Sequence, residues 1–219
     1  MRSEQLHPTA DDETGGWLRP AVHLLAGELR AHHQPRGPRS HRLARSARRV
    51  AERLGLDPMA ATEAELVAIL HHAGRLAVPG GLLAAPRPLT ASERDIVRGR
   101  TIAGADLLAR RAGLDDLAEI VRHVHERWDG SGHPYGLAGE DIPMPARIVA
   151  VVDEYDLLTR GGRGRSPLSP HEARLRLAVE AGWRFDPTVV RAWFDEFREQ
   201  SEGRSRPAAP KGPSPPALL

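Results

Sequence analysis

Apolar positions recur at helical spacing along most of the chain, and no stretch sustains period-two alternation. Residues 17–33 read as a helix, with Val22, Leu25 and Leu29 on one side, and Gln34-Pro35-Arg36-Gly37-Pro38 breaks it. Ser40–Leu54 is a second helix: Leu43, Ala47, Val50 and Leu54 form its apolar stripe, and Arg42, Arg45, Arg49 and Arg53 a basic flank. Gly55 ends it. Thr62 is placed to cap the next helix, with Glu65 three residues on and Leu66, Ile69 and Leu70 facing inward. Val78–Pro88 is irregular, Thr90 opens a helix to about Arg111, and Asp115–Arg127 follows. Trp128–Pro145 is dense in glycine and proline and reads as loop. Ala146–Thr159 is apolar and helical, Gly161–Ser166 turns, and Glu172–Ala181 and Thr188–Glu199 close the domain. The pattern predicts an all-α helical bundle of about eight helices carrying one long Gly/Pro-rich loop. The bundle spans residues 39–200, flanked by a polar segment 1–16 and a Pro/Ala-rich tail 201–219, both expected to be disordered.

Composition narrows the chemistry. The 219 residues contain no cysteine, which excludes disulfides, thiolate nucleophiles and Cys-ligated clusters. Aromatics at 4% argue against a base-stacking platform. The run Ile148–Val152 is far too short to cross a membrane, and Asp11, Asp12 and Glu13 interrupt any leader, so no membrane contact and a cytoplasmic location are expected. Net charge is only +2, yet Arg30–Arg53 carries eight arginines and one acid, Glu52. That segment is either a solvated helix flank or an anion-facing surface; no nucleic-acid recognition motif accompanies it, so nucleic acid is not expected as a partner.

Eleven histidines are many for this length. His71-His72 ends an apolar helix, His123 and His125 precede a polar loop, and Asp153 interrupts Ile148–Val152, an expensive place for a carboxylate unless a cation or hydrogen-bond donors meet it. Histidines and a carboxylate on facing helices suggest a metal site inside the bundle.

The run His125-Glu126-Arg127-Trp128-Asp129-Gly130-Ser131-Gly132-His133-Pro134, with Gly136-Leu137, Ile142-Pro143, Ala146-Arg147-Ile148 and Asp153, resembles the signature of the HD-GYP family of HD phosphohydrolases. The likeness continues back through Leu70-His71-His72-Ala73-Gly74-Arg75 and forward through Phe185-Asp186-Pro187. It implies an all-helical domain; active members hold two or three iron or manganese ions and hydrolyse cyclic di-GMP. Position by position, the resemblance implies that His71, His125 and Asp153 remain as metal-ligand positions. Four are replaced: Arg39 stands at the first histidine, with His41 two places along; His72 at the bridging aspartate; Arg100 at the next histidine; Val124 at the first of a histidine pair. In the signature loop, Gly132-His133-Pro134 carries histidine where the family has tyrosine.

Arginine stays protonated and offers no lone pair to a metal. Ile96, Arg100, Ala103 and Leu107 share one helix stripe, so Arg100 is expected to point inward, and Arg39 lies a turn before Leu43. The resemblance thus implies a degenerate, non-catalytic domain without a cofactor. Its arginines either pair with Asp153 as counter-charge or, as Arg39, Arg75, Arg100 and Arg165, accept a phosphate-containing ligand. A single-ion site from His71, His125 and Asp153, holding iron, manganese or zinc, is the other possibility and keeps open an active, divergent phosphodiesterase. The implied partners are GGDEF-type or other signalling proteins; the apolar side of the helix at residues 17–33 adds a second copy of the chain as an expected partner.

Overall fold

The computed structural model describes residue 22 and residues 39–83, 85, 87–111, 113–161 and 166–204. The expected segment 1–16, and the expected tail 201–219 beyond residue 204, lie outside the described residues. Of the expected first helix only Val22 is described; it is helical and fully buried in the core.

Among the described residues there are helices and turns but no strand. The helices are α1 (Arg39–Arg53), α2 (Pro58–Leu70), the four-residue α3 (Gly80–Leu83), α4 (Ala91–Ala109), α5 (Asp115–Arg122), α6 (Met144–Arg160), α7 (Pro170–Glu180) and α8 (Pro187–Arg204). Short 3-10 turns occupy Ala73–Ala77 and Gly139–Asp141. The all-α bundle with its long loop is therefore what the chain forms, although α3 lies within Val78–Pro88, which the pattern leaves irregular. The last helix runs to Arg204, past the expected start of the tail.

Helix α6 is the central element. It packs against α1, α2, α7 and α8, and its apolar run buries Ile148, Val149, Val151 and Val152. A helix apolar on most of its circumference belongs in the middle of a bundle. Against it lie Leu43, Ala47 and Val50 of α1 and Leu66, Val67 and Leu70 of α2, all in one core cluster. Each fully buried Leu or Val contributes about 1.5–3 kcal/mol.

Two details differ from the pattern-based reading. Helix α2 starts at Pro58, not at Thr62: the Asp57 carboxylate accepts from the Met59 and Ala60 amides, and proline's fixed φ suits the first turn. Thr62 lies inside the helix, its hydroxyl donating to the Pro58 carbonyl. In α4 the buried stripe is Val97, Thr101, Gly104, Ala105 and Leu108, while Ile96 is 49% exposed. A backbone contact sets this rotation. A Cβ on Gly74 would lie 1.7 Å from the Arg100 carbonyl oxygen, and one on Gly104 would lie 2.5 Å from the Gly74 nitrogen. Two glycines thus let the chain after His72 press directly onto α4, turning Gly104 rather than Ile96 inward and fixing the Arg100 backbone beside the His71-His72 turn.

The basic flank of α1 is used internally. Arg42 pairs with Asp156 at 2.7 Å, and Arg49 and Arg53 converge on Glu196 at 3.4 and 3.1 Å. These contacts clamp α1 to α6 and α8.

Candidate metal centre

Helix α2 ends by delivering two imidazoles. His71 is its C-cap, with its backbone N–H donating to the Val67 carbonyl, and His72 begins the turn held against α4. The two rings meet edge-on, centroids 4.0 Å apart. The His71 side chain is 3% exposed. Its Nδ1 lies 3.0 Å from the Ala68 carbonyl oxygen. A carbonyl only accepts, so Nδ1 carries the proton and Nε2 is directed the other way. Nε2 is buried without a hydrogen-bond partner and lies 3.7 Å from Asp153 Oδ1.

Asp153 projects from α6 at the edge of its apolar run, 23% exposed. One ligand atom each from His71, His72 and Asp153 lies within 4.8 Å of the others. Two imidazoles and a carboxylate suit iron, manganese or zinc. Fixing one histidine nitrogen on a backbone carbonyl is how proteins aim the other at a metal. By that test the residues fit one ion. A bound divalent ion there supplies Lewis-acid polarisation of a phosphoryl oxygen. The chain's own contribution is to hold the donors rigid at a helix end and keep one of them out of water.

His125 lies outside that group. It follows α5, and its Nε2 is 3.0 Å from Arg100 Nη2. The guanidinium is the obligatory donor, so the Nε2 lone pair is committed to it. The same guanidinium donates through Nη1 to the Val97 carbonyl at 3.1 Å, which fixes its direction. His125 is pushed down to about 3, first by burial, then by the charge of Arg100 and by His133 and His71; the Asp153 carboxylate opposes the shift. Of the other expected residues, Arg75 is half-buried on the turn after His72, Val124 is buried in the core, and His41 is exposed on α1. The Arg39 side chain and Arg165 lie outside the described residues.

The signature loop is stapled beneath the site. The Glu126 carboxylate, buried, accepts from the Tyr135 and Gly136 amides at 2.8 and 3.1 Å. The Trp128 and Asp129 amides donate to the Arg184 and Trp183 carbonyls. Gly132 passes so close to the backbone of Glu126 that a Cβ would lie 2.5 Å from the Glu126 Cα. These contacts bring His133 to His125, ring centroids 5.4 Å apart, and burial with the nearby Arg100 and Arg98 lowers the His133 pKa. In the sequence Glu126 is only one letter of the motif, and His72 reads as a lost ligand because it replaces an aspartate. That histidine is itself a ligand type was the signal available.

Comparison with known proteins bears on the family and the fold. The HD domain family profile matches residues 23–189. A cyclic di-GMP phosphodiesterase of Thermotoga maritima is 33% identical over 178 residues, covering 74% of this chain and 48% of that protein. A 3'3'-cGAMP-specific phosphodiesterase of Vibrio cholerae is 31% identical, covering 81% and 34%. A cyclic di-GMP phosphodiesterase response regulator of Xanthomonas campestris is 37% identical, covering 69% and 40%. The chain spans less than half the length of these relatives. Among solved structures, an HDG"Y"P protein of Bdellovibrio bacteriovorus superposes with a TM-score of 0.58 at 21% identity, covering 71% of this chain and 50% of that one. A cyclic GMP-AMP specific phosphodiesterase of Vibrio cholerae superposes with a TM-score of 0.57 at 18% identity, covering 77% and 46%; at these identities the likeness concerns the fold. No helix among the described residues is long and apolar enough to cross a membrane.

Proposed function

This chain belongs to the HD domain family, in its HD-GYP branch, and from that premise we propose that it is a phosphodiesterase-like domain that has given up paired-ion hydrolysis and works as a non-catalytic regulator in cyclic-dinucleotide signalling. The observation that carries this reading is the 3.0 Å contact between the Arg100 guanidinium and His125 Nε2. A permanent cation holds the lone pair that a second metal ion would need, and two cations compete poorly for one imidazole. The ligand class is a phosphate-containing molecule such as cyclic di-GMP, drawn to Arg100. The output is contact with signalling proteins in the cytoplasm, GGDEF-type cyclases or a second copy of the chain among them.

A second reading rests on a different observation. His71, His72 and Asp153 fit one ion, and a single Lewis acid beside a guanidinium can still support slow phosphodiester cleavage.

The discriminating experiment is an anaerobic assay of the purified full chain with Mn²⁺ or Fe²⁺, offering cyclic di-GMP and 3'3'-cGAMP and following the linear product. The expected result is cyclic-dinucleotide binding with no turnover above that of the H71A variant. Turnover that disappears in H71A overturns the non-catalytic reading in favour of the second.

A further inference from the structure

The geometry points to a one-ion site in this chain, with His72 as a terminal ligand beside His71 and Asp153 and with the Arg100 guanidinium, held on His125, as a fixed cation near it. This rests on the phosphodiesterase-like reading for the location of the site, but not on whether hydrolysis occurs.

Three observations support it independently of any titration. First, His71 Nε2 is a polar atom on a side chain only 3% exposed, without a hydrogen-bond partner. Its ring is locked by the Ala68 carbonyl so that this nitrogen faces Asp153. Second, the 3.7 Å from Nε2 to Asp153 Oδ1 is too long for a hydrogen bond. It slightly exceeds the roughly 3.4 Å between two donors that each lie about 2.1 Å from a tetrahedral ion. A small contraction of the pair would close the site. Third, His72 brings its own ligand atom within 4.8 Å of both.

The donor chemistry then limits the count to one. A carboxylate has two oxygens and can bridge two ions; a neutral imidazole presents one lone pair and serves one. With His72 in this corner, the charge that would hold two divalent cations close together is absent. Arg100, anchored to Val97 and His125, adds a positive charge that further disfavours a second ion. The site is thus a two-imidazole, one-carboxylate centre for a single divalent transition ion.

The test is a titration of the metal-free full chain with Co²⁺ and, separately, Mn²⁺. Calorimetry and metal analysis give the stoichiometry, and the visible Co²⁺ spectrum reports the coordination. The expected result is one ion per chain with the intense d–d bands of a four- or five-coordinate site. H72A and D153N should each weaken binding by roughly 100-fold with the helical circular dichroism unchanged, and H125A should leave one ion bound. His72 is only partly buried, so H72A is not a core deletion; D153N keeps the side-chain shape and serves as the second variant. Two ions per chain, no ion at all, or an affinity unaltered by H72A overturns the proposal. The hydrolysis assay fails separately: turnover by a one-ion protein overturns the non-catalytic reading and leaves this site standing.

Discussion

Arg100 and His125 lie 25 residues apart in sequence, yet their side chains meet at 3.0 Å, guanidinium to imidazole Nε2. A cation donating to a buried imidazole stabilises the ring's neutral form. The first consequence is acid sensitivity. His125 titrates near 6.5 when the chain is unfolded and at about 3 when it is folded. Between those values the unfolded state takes up a proton that the folded state refuses. Stability contributed here is full above pH 6.5 and falls as pH drops through the window, by at most about 1.4 kcal/mol per pH unit. In an NMR titration the His125 ring should stay neutral down to pH 4, and R100M should raise its midpoint. A wild-type midpoint near 6.5 would show that the contact is not made in solution.

The signature loop depends on Glu126. Its buried carboxylate takes both the Tyr135 and Gly136 amides. E126A would leave two amides without their acceptor, at a cost of about 1–3 kcal/mol for each one left buried. E126Q keeps one accepting oxygen and should fall between. Hydrogen exchange reads this directly: the Tyr135 and Gly136 amides should lose protection in E126A while those of α2 keep theirs. Equal loss across the whole domain would place Glu126 in global stability instead.

Much of this architecture is legible in the residues, and the failures have a common cause. Thr90 announces the start of a helix, and the structure caps α4 there. Ile148–Val152 announces a buried helix, and α6 is the centre of the bundle. Both signals are local. Ile96 misleads because the rotation of α4 is set by the backbone contact between Gly74 and Gly104, a pairing across 30 residues that helical periodicity does not contain. Thr62 misleads because Asp57-Pro58 starts the helix earlier. At the site, His71 and Asp153 stand out in sequence as polar residues in apolar surroundings. The place of His72 beside them is set by the turn after α2, and the engagement of His125 by a side chain from another helix. Neither has a local signature.

Asp186 joins two tasks. Its Oδ2 accepts from Arg147 at 2.9 Å, with both side chains largely buried, and its Oδ1 caps α8 through the Thr188 amide at 2.7 Å. Arg147 in turn lies over the Trp128 ring, 5.8 Å from its centroid, so this pair ties the loop to α6 and α8. D186A should cost about 3–5 kcal/mol, because it leaves a buried guanidinium uncompensated, with about 1 kcal/mol more for the lost cap. D186N retains the cap and should cost less. The double variant R147M/D186N should recover part of the loss, since no unpaired charge remains. Denaturant melts of the three variants measure this; a double variant as unstable as the sum of its parts would deny the coupling.

Gly74 and Gly55 separate two ways in which glycine is required. Gly55 sits at φ +74° with nothing within 4 Å of an added Cβ, so G55A costs only backbone strain, about 1–2 kcal/mol. Gly74 has the opposite problem. Its added methyl would fall 1.7 Å from the Arg100 carbonyl oxygen and 3.1 Å from the Gly104 nitrogen, all of it backbone that no rotamer change can clear. The turn and α4 must therefore separate, and overpacking of this kind costs about 1–3 kcal/mol or more. The separation also carries Arg100 away from His125. G74A should thus lower the melting temperature more than G55A and, unlike G55A, raise the His125 titration midpoint. If both variants lowered stability equally and left His125 at its wild-type midpoint, the close approach would not be what positions the guanidinium.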